Sequence, residues 1–599
     1  MHMFRLSLKL LGPFTALLAA SCAPPSGITG PCTPFQAGES PCRQQLYFPT
    51  GVAIDPDGDV LYVTNGNADL RYSGGSMMAL DLRRFDCAIE YARQGFQGTV
   101  PGCDDIDYLT LPDRCLAENT PPQLSQSRTD HDGCRRNLLD PSIIECDECP
   151  YIASAVRIGN FPSQIAVQPR PTPVPPFPVV ESKLQCPDGT SSCAPNQMVS
   201  VPDCPPGSVP LQGGTLTCTP TSNPGFNRRL WTAVRGDPSL TYVHAIKTPR
   251  TSTAPSTVTL NCGGDSRNQD GPLSTCDLQR IAQRDLHGDM RNAPVPTGST
   301  LDTLRTLAPE PFGLGLSQCG QGLPYAPECP AGQTPFAHLG VTHLQTGQVT
   351  LINADAFSPS SIRSVSNPTE RVVYDVRLAI SVSSGPAGAF AIAPRTRGDR
   401  SSFWYVTSRA SSSIASFVVS PTDDIGLTFG FGVSAGPFAT GDDVRGVVFD
   451  QGGDRAFFLD NRPPAVFMVD TRIEPSTGLP RNQVIDIVPV CLGASHLDVR
   501  SFVDQGRTVT RVYVACFTAG QLLVIDADLA TVIAVSNIGQ GPFDLTFNFG
   551  PGMAEPARHR AYVSNYVDAT ISVVDLEPGS PTENRVIATI GIPSPPVTQ

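Results

Sequence analysis

Short runs in which apolar and polar residues alternate recur along most of the chain, and the clearest set lies at 541–591. Pro542 to Phe549 places Phe543, Leu545, Phe547 and Phe549 at alternate positions. Ala561 to Asn565, Thr570 to Leu576 and Arg585 to Ile590 follow, rich in aromatic and β-branched residues. Gly, Pro, Asn and Asp fill the gaps. Runs of 5–8 residues with that spacing predict four antiparallel strands joined by turns.

The second and third of these runs recur seven times, at 61–82, 230–246, 336–355, 403–419, 455–470, 511–526 and 560–575. A single four-stranded sheet cannot bury both apolar faces, whereas stacked copies can. Seven four-stranded repeats predict an all-β chain folded as a seven-bladed β-propeller. Three stretches interrupt the repeat, near 83–150, 171–227 and 262–308. In the last, Leu278, Ile281, Ala282 and Leu286 fall at helical spacing, which predicts an amphipathic helix over 276–290. Gln44 to Phe48 precede the first repeat, where they are placed to pair with the last blade and close the ring.

Tyr62-Val63-Thr64-Asn65 spells the motif of the YVTN-type β-propeller family, and Tyr562-Val563-Ser564-Asn565 and Tyr405-Val406-Thr407-Ser408 are near copies. The chain resembles that family over roughly 48–591, apart from the three insertions. The resemblance implies the fold and no single activity, because propellers host many.

Residues 1–22 read as an export signal. Arg5 and Lys9 precede a short apolar run, Leu10 to Ala20, and Leu18-Ala19-Ala20-Ser21-Cys22 resembles a bacterial lipobox. That resemblance implies lipid attachment at Cys22; ordinary cleavage near Ser21 is the alternative. Ala23 after the cysteine resembles the outer-membrane sorting pattern, which places the protein in a bacterial cell envelope. Residues 23–47 read as a Pro/Gly-rich tether and 48–599 as the propeller.

Export changes the meaning of the 19 cysteines, which become an even number once Cys22 is set aside. An even count in an oxidising compartment favours disulfides. Cys32/Cys42, Cys186/Cys193, Cys204/Cys218, Cys262/Cys276 and Cys319/Cys329 are close enough in sequence to pair. Cys146-Asp147-Glu148-Cys149 reads as a structural disulfide, since no second pair and no following His suggest zinc or haem. The net charge of −13, with no basic block, excludes a nucleic-acid partner.

Candidate chemistry is sparse. Asp55-Pro56-Asp57-Gly58-Asp59 has carboxylates at alternate positions, but Val60 follows where a calcium loop needs glycine, so it reads as a β-turn. His338 and His343 read as ordinary strand residues. No nucleotide, zinc-hydrolase or nucleophile-elbow motif is present, and no catalytic residue, metal or cofactor is expected. Ligands of propellers enter at the channel mouth, where the innermost strands begin. Aligned on blade starts, the residues two positions on are Gly51, Gln164, Gly313, Ala389, Gly446, His496 and Asp544, with Arg445 adjoining. Gln164, Arg445, His496 and Asp544 are the candidate ligand contacts. The expected role is a non-catalytic binding or scaffolding platform for a protein or glycan partner. The alternatives are a metal-dependent hydrolase resembling propeller lactonases and a subunit of an envelope electron-transfer or export complex.

Overall fold

The structure, a computed structural model, describes residues 46–66, 75–104, 106, 133–169, 227–236, 239–248, 257–261, 307, 309–319, 336–354, 376–381, 388–395, 402–419, 425–432, 441–504, 506–548 and 559–591, with short pieces of backbone between 177 and 220 and at 280–282. It is a seven-bladed β-propeller. Blade 1 consists of Pro49–Ile54, Val60–Asn65, Gly75–Asp81 and Ile152–Ile158. Blade 2 consists of Pro162–Pro169, Asn227–Val234, Ser239–Thr248 and Thr257–Asn261. Blades 3 and 4 are Pro311–Cys319, Phe336–His343, Gln348–Asn353, Val376–Ser381 and Ala389–Arg395, Ser402–Ser408, Ser413–Val419, Ile425–Gly432. Blade 5 is Val444–Phe449, Arg455–Asn461, Pro464–Asp470 and Gln483–Pro489. Blade 6 is Ala494–Asp504, Arg507–Cys516, Gln521–Asp526 and Thr531–Asn537. Blade 7 is Pro542–Asn548, Arg560–Asn565, Thr570–Asp575 and Val586–Ile590. In each blade the chain begins at the axis and works outward, each strand antiparallel to the last. The innermost strands neighbour one another around the ring.

The two-residue period explains the stacking. Leu61 and Val63 point into the seam with blade 7, while Val60 and Tyr62 point into the seam with blade 2. Each of the seven seams holds its own cluster of buried apolar side chains. The Y-V-T-N segment assigns one task per residue. The Tyr62 ring fills one seam with its Oη donating to Asp55 Oδ2 at 2.8 Å, and Val63 fills the other. Thr64 Oγ1 donates to the Ser163 carbonyl of the next blade at 3.0 Å. Asn65 spans its hairpin, with Nδ2 donating to Ser76 Oγ at 2.9 Å.

Ring closure differs from the sequence expectation. Leu46 to Phe48 form no strand; the Leu46 amide donates to Glu148 Oε1 at 3.3 Å, and Leu46 is buried in the seam between blades 7 and 1. Blade 7 already has its four strands, so its outer edge is taken by the blade 1 insertion instead. Ile144–Cys146 pairs parallel to Val586–Ile590, and Cys134–Arg136 pairs antiparallel to Ile144–Cys146, giving a six-stranded sheet. This covers an edge that would otherwise invite association. The same insertion contains helix α1, Leu82–Arg93, capped by Asp81, whose side chain accepts from the Arg84 amide. Its Leu82, Phe85, Ala88, Ile89 and Ala92 are buried at helical spacing, and Asp86 forms a buried ion pair with Arg560 of blade 7.

The helix expected over 276–290 is corrected in part: Arg280–Ala282 is a strand on Ser239–Thr241 of blade 2, where an exposed strand edge competes for its backbone. The remainder of 276–290, the signal and tether through residue 45, and the pairs Cys32/Cys42, Cys186/Cys193, Cys204/Cys218 and Cys262/Cys276 lie outside the residues whose side chains are described. Cys319 is disulfide-bonded, and Cys329 lies outside the described residues. Cys146 and Cys149 are both disulfide-bonded, but Cys146 pairs with Cys134 across the hairpin. Cys87–Cys103 ties α1 to the turn after it, and Cys491–Cys516 ties the connection between blades 5 and 6 to the second strand of blade 6.

Candidate functional site

The mouth is built by a repeated irregularity. Every innermost strand has a register break two or three residues into its pairing, for example between Pro49 and Gly51, Val444 and Gly446, Ala494 and His496, and Pro542 and Asp544. In blade 4 the break lies between Ala389 and Ile392, so the position equivalent to Gly313 is Ala391 rather than Ala389. The bulge frees the backbone for hydroxyl bridges: the Gly313 amide donates to Thr342 Oγ1, which donates to the Phe390 carbonyl of the next blade, both at 2.8 Å. Ser495 Oγ likewise donates to the Pro542 carbonyl at 2.7 Å.

Small residues in the column are set by this close approach. A Cβ on Gly51 would lie 2.4 Å from the Ser163 carbonyl oxygen, and one on Gly313 would lie 2.3 Å from that of Phe390. The polar residues are the exceptions, and three of the four meet. Gln164 Nε2 lies 3.2 Å from His496 Nδ1, linking blades 2 and 6 across the ring. His496 Nε2 lies 3.2 Å from Asp544 Oδ1 of blade 7. An amide nitrogen only donates, so His496 Nδ1 accepts and its Nε2–H donates to Asp544. The other Asp544 oxygen accepts from the Val52 amide of blade 1 at 3.0 Å. The chain Gln164–His496–Asp544–Val52 therefore runs across and then around the ring.

Arg445 is not brought to this group. Its guanidinium grips Asp443 in two places, Nη2 to Oδ2 at 2.8 Å and Nε to Oδ1 at 3.2 Å, beside Arg409. Asp498 was missed by the sequence reading, although it follows His496 by two residues and so lies on the same strand face. The Val499 amide donates to its Oδ1 at 2.7 Å. Burial, opposed by His496, pushes the Asp498 carboxyl up to about 6. Burial also raises that of Asp544, with His496 and the Val52 and Leu545 amides opposing it.

Half-buried aromatic rings lie at the same end of the blades, at the starts of innermost strands or just past the ends of second strands. Phe48, Phe517 and Phe543 pack around Tyr566 at 5.0, 6.3 and 5.8 Å between ring centroids. Phe312 and Phe390 meet at 4.4 Å, with Arg235 and Arg409 over their faces.

The Asp55–Asp59 turn lies at the opposite end of the channel. It is a β-turn, with the Gly58 amide donating to the Asp55 carbonyl at 2.7 Å. Among the described residues, Asp55, Asp57 and Asp59 are the group of three metal-ligand types whose oxygens converge within 4.8 Å. Lys247 already occupies that convergence: its Nζ lies 2.7 Å from Asp57 Oδ2, bonds Asp59 Oδ1 and lies 3.7 Å from Asp55 Oδ1. Arg228 lies 3.5 Å from Asp55 and 3.6 Å from Asp57. His343 is a strand residue whose ring bonds Thr350 Oγ1 and the Pro309 carbonyl. His338 is buried in the same strand.

No protein family and no characterised protein matches the sequence. Among solved structures, hydrazine synthase of Kuenenia stuttgartiensis aligns with a TM-score of 0.38 and 10% identity, covering 92% of this chain and 100% of that one. The periplasmic gluconolactonase of Pseudomonas aeruginosa aligns with a TM-score of 0.35 and 12% identity, covering 69% of this chain and 96% of that one. At that distance neither likeness bears on what this chain does.

Proposed function

We propose that this protein is a YVTN-type binding propeller of the bacterial cell envelope, held to the outer membrane by a lipid on Cys22, and that it takes a glycan or glycan-bearing partner at the channel mouth. The observation that carries the reading is the mouth itself: half-buried aromatic rings at the end of the channel that holds partly exposed Gln164 and His496 and buried Asp544. Aromatic faces stack on the apolar faces of sugar rings, and amide and carboxyl groups bind their hydroxyls. Both His496 nitrogens are already engaged, which leaves neither free to activate a water and favours binding over hydrolysis. The insertions add further contact surface.

Binding of cell-envelope glycans to purified protein, followed by titration calorimetry, tests this. Saturable binding lost in Phe390→Ala and Tyr566→Ala is expected; binding that survives both moves the ligand site elsewhere. Release of the protein from membranes by Cys22→Ser tests the anchor. A second reading, a hydrolase, is favoured by Asp498 alone, whose carboxyl burial pushes up to about 6, the direction a general acid requires. Turnover of lactones or glycosides abolished by Asp498→Asn would replace the binding reading with that one.

A further inference from the structure

The hairpin that covers the outer edge of blade 7 ends in two leucines that are almost fully solvent-exposed: Leu138 at 87% and Leu139 at 97%. Their exposure is built rather than loose. The strands below are joined by Cys134–Cys146, and the turn is closed by the Asn137 amide donating to the Ile143 carbonyl at 2.9 Å. Asn137 Oδ1 accepts from the amides of both Leu139 and Asp140, at 2.8 and 2.9 Å. A turn held at so many points keeps its apolar side chains outward when it could have folded them in.

The surroundings point to the occupant. Arg93 and Arg136 are exposed beside the hairpin, with Arg136 donating to the Arg93 carbonyl, and exposed Arg585 is close enough to act on the Asp140 carboxylate. In a chain of net charge −13, exposed Arg93, Arg136 and Arg585 outnumber the one exposed carboxylate at the tip, Asp140, while Glu145 is paired with Arg135, which leaves an excess of basic groups around the leucines. The tip offers two adjacent apolar residues followed by exposed Asp140, Pro141 and Ser142, far less than the area a stable protein interface buries. Because Ile144–Cys146 runs parallel to the outer strand of blade 7, the tip projects toward the face away from the channel mouth.

We propose that Leu138 and Leu139 insert into the outer leaflet of an anionic phospholipid bilayer, with these arginines on the headgroups, so that the channel mouth faces away from the membrane. The choice of membrane rests on the envelope reading above, while the tip's affinity for lipid does not. Among the described residues no helix is long and apolar enough to cross a bilayer, so this contact is peripheral. One lipid chain gives marginal attachment, and a second, apolar and electrostatic contact makes it stable.

The test uses the full chain carrying C22S, so that no lipid is attached, and vesicles of phosphatidylethanolamine with phosphatidylglycerol. Trp231 and Trp404 are fully buried, so an indole placed by L139W reports on the tip alone. Blue-shifted emission on vesicle addition, quenching by brominated lipid, and a roughly tenfold or greater loss of vesicle flotation in L138S/L139S are expected. Unchanged melting of both variants keeps the result free of folding defects. No spectral shift, equal flotation of L138S/L139S, or a shift produced by protein extract and not by lipid overturns the proposal. Membrane release of the otherwise unaltered chain by C22S is read separately, so the anchor and the tip fail or stand independently.

Discussion

The Asp544 carboxylate accepts a hydrogen bond from the Val52 amide at 3.0 Å, joining residues 492 positions apart in the chain. Its other oxygen takes the Leu545 amide at 3.0 Å and the His496 ring at 3.2 Å. A residue that reads from sequence as a ligand contact thus also locks the last blade to the first.

Replacing Asp544 with Ala strands the Val52 amide, which is buried, and removes the partner of His496. The expected cost is roughly 1–3 kcal/mol. Asp544→Asn keeps one acceptor oxygen and should lose less. Urea denaturation of the two variants checks the order; equal stability of Asp544→Ala and the unaltered protein would mean that the seam closes without this bond.

The raised carboxyl of Asp498 makes stability depend on pH. Burial lifts it from 3.8 to about 6 in the folded protein, so the folded state binds this proton more tightly than the unfolded chain does. Its contribution is therefore fully present below about pH 4 and is lost as pH rises through about 6. Asp544 shifts the same way. Melting temperatures measured across pH 4–7 should show a downward component in the unaltered protein that Asp498→Asn flattens.

Thr64 bridges blades 1 and 2 through one hydroxyl. Thr64→Val keeps the shape and leaves the Ser163 carbonyl without this donor, at an expected cost of about 1–2 kcal/mol. Thr64→Ser should retain most of the stability. Indistinguishable valine and serine variants would show that the motif's threonine serves packing alone.

Lys247 stands where three carboxylates converge, and Asp59 and Asp55 raise its pKa against the effect of burial. Lys247→Met should destabilise the protein by leaving Asp55, Asp57 and Asp59 to repel one another. Millimolar calcium should then restore part of the lost melting temperature, because the oxygens already lie within reach of one ion. No calcium effect on this variant would show that the turn relaxes once the lysine is gone.

The placement of Gln164, His496 and Asp544 at one end of the channel was legible because the repeat supplies its own ruler. Pro49, Pro162, Pro311 and Pro542 mark blade starts, so counting two residues on finds Gln164 and Asp544, and the same count from Ala494 finds His496. The count slipped at Ala389, where no proline marks the start, and it could not show that Asp443 holds the Arg445 guanidinium away from the Gln164–His496–Asp544 group. Asp498 was within reach of strand alternation and was passed over. Lys247 and its three carboxylates come from different blades, and no local pattern links them.

Period-two alternation and its seven recurrences determined the all-β class and the blade count, because burying both faces of a four-stranded sheet leaves stacking in a closed ring as the solution. Helix α1 was also written locally, in apolar spacing and the Asp81 cap, though it lay inside an insertion where no repeat drew attention to it. Tertiary structure alone decided how the ring closes, which cysteine Cys146 takes, and that Gln164 meets His496. These depend on which distant segments arrive at the same edge or across the same axis. Side-chain periodicity constrains the faces of a strand and carries no information about its partners 300 or more residues away.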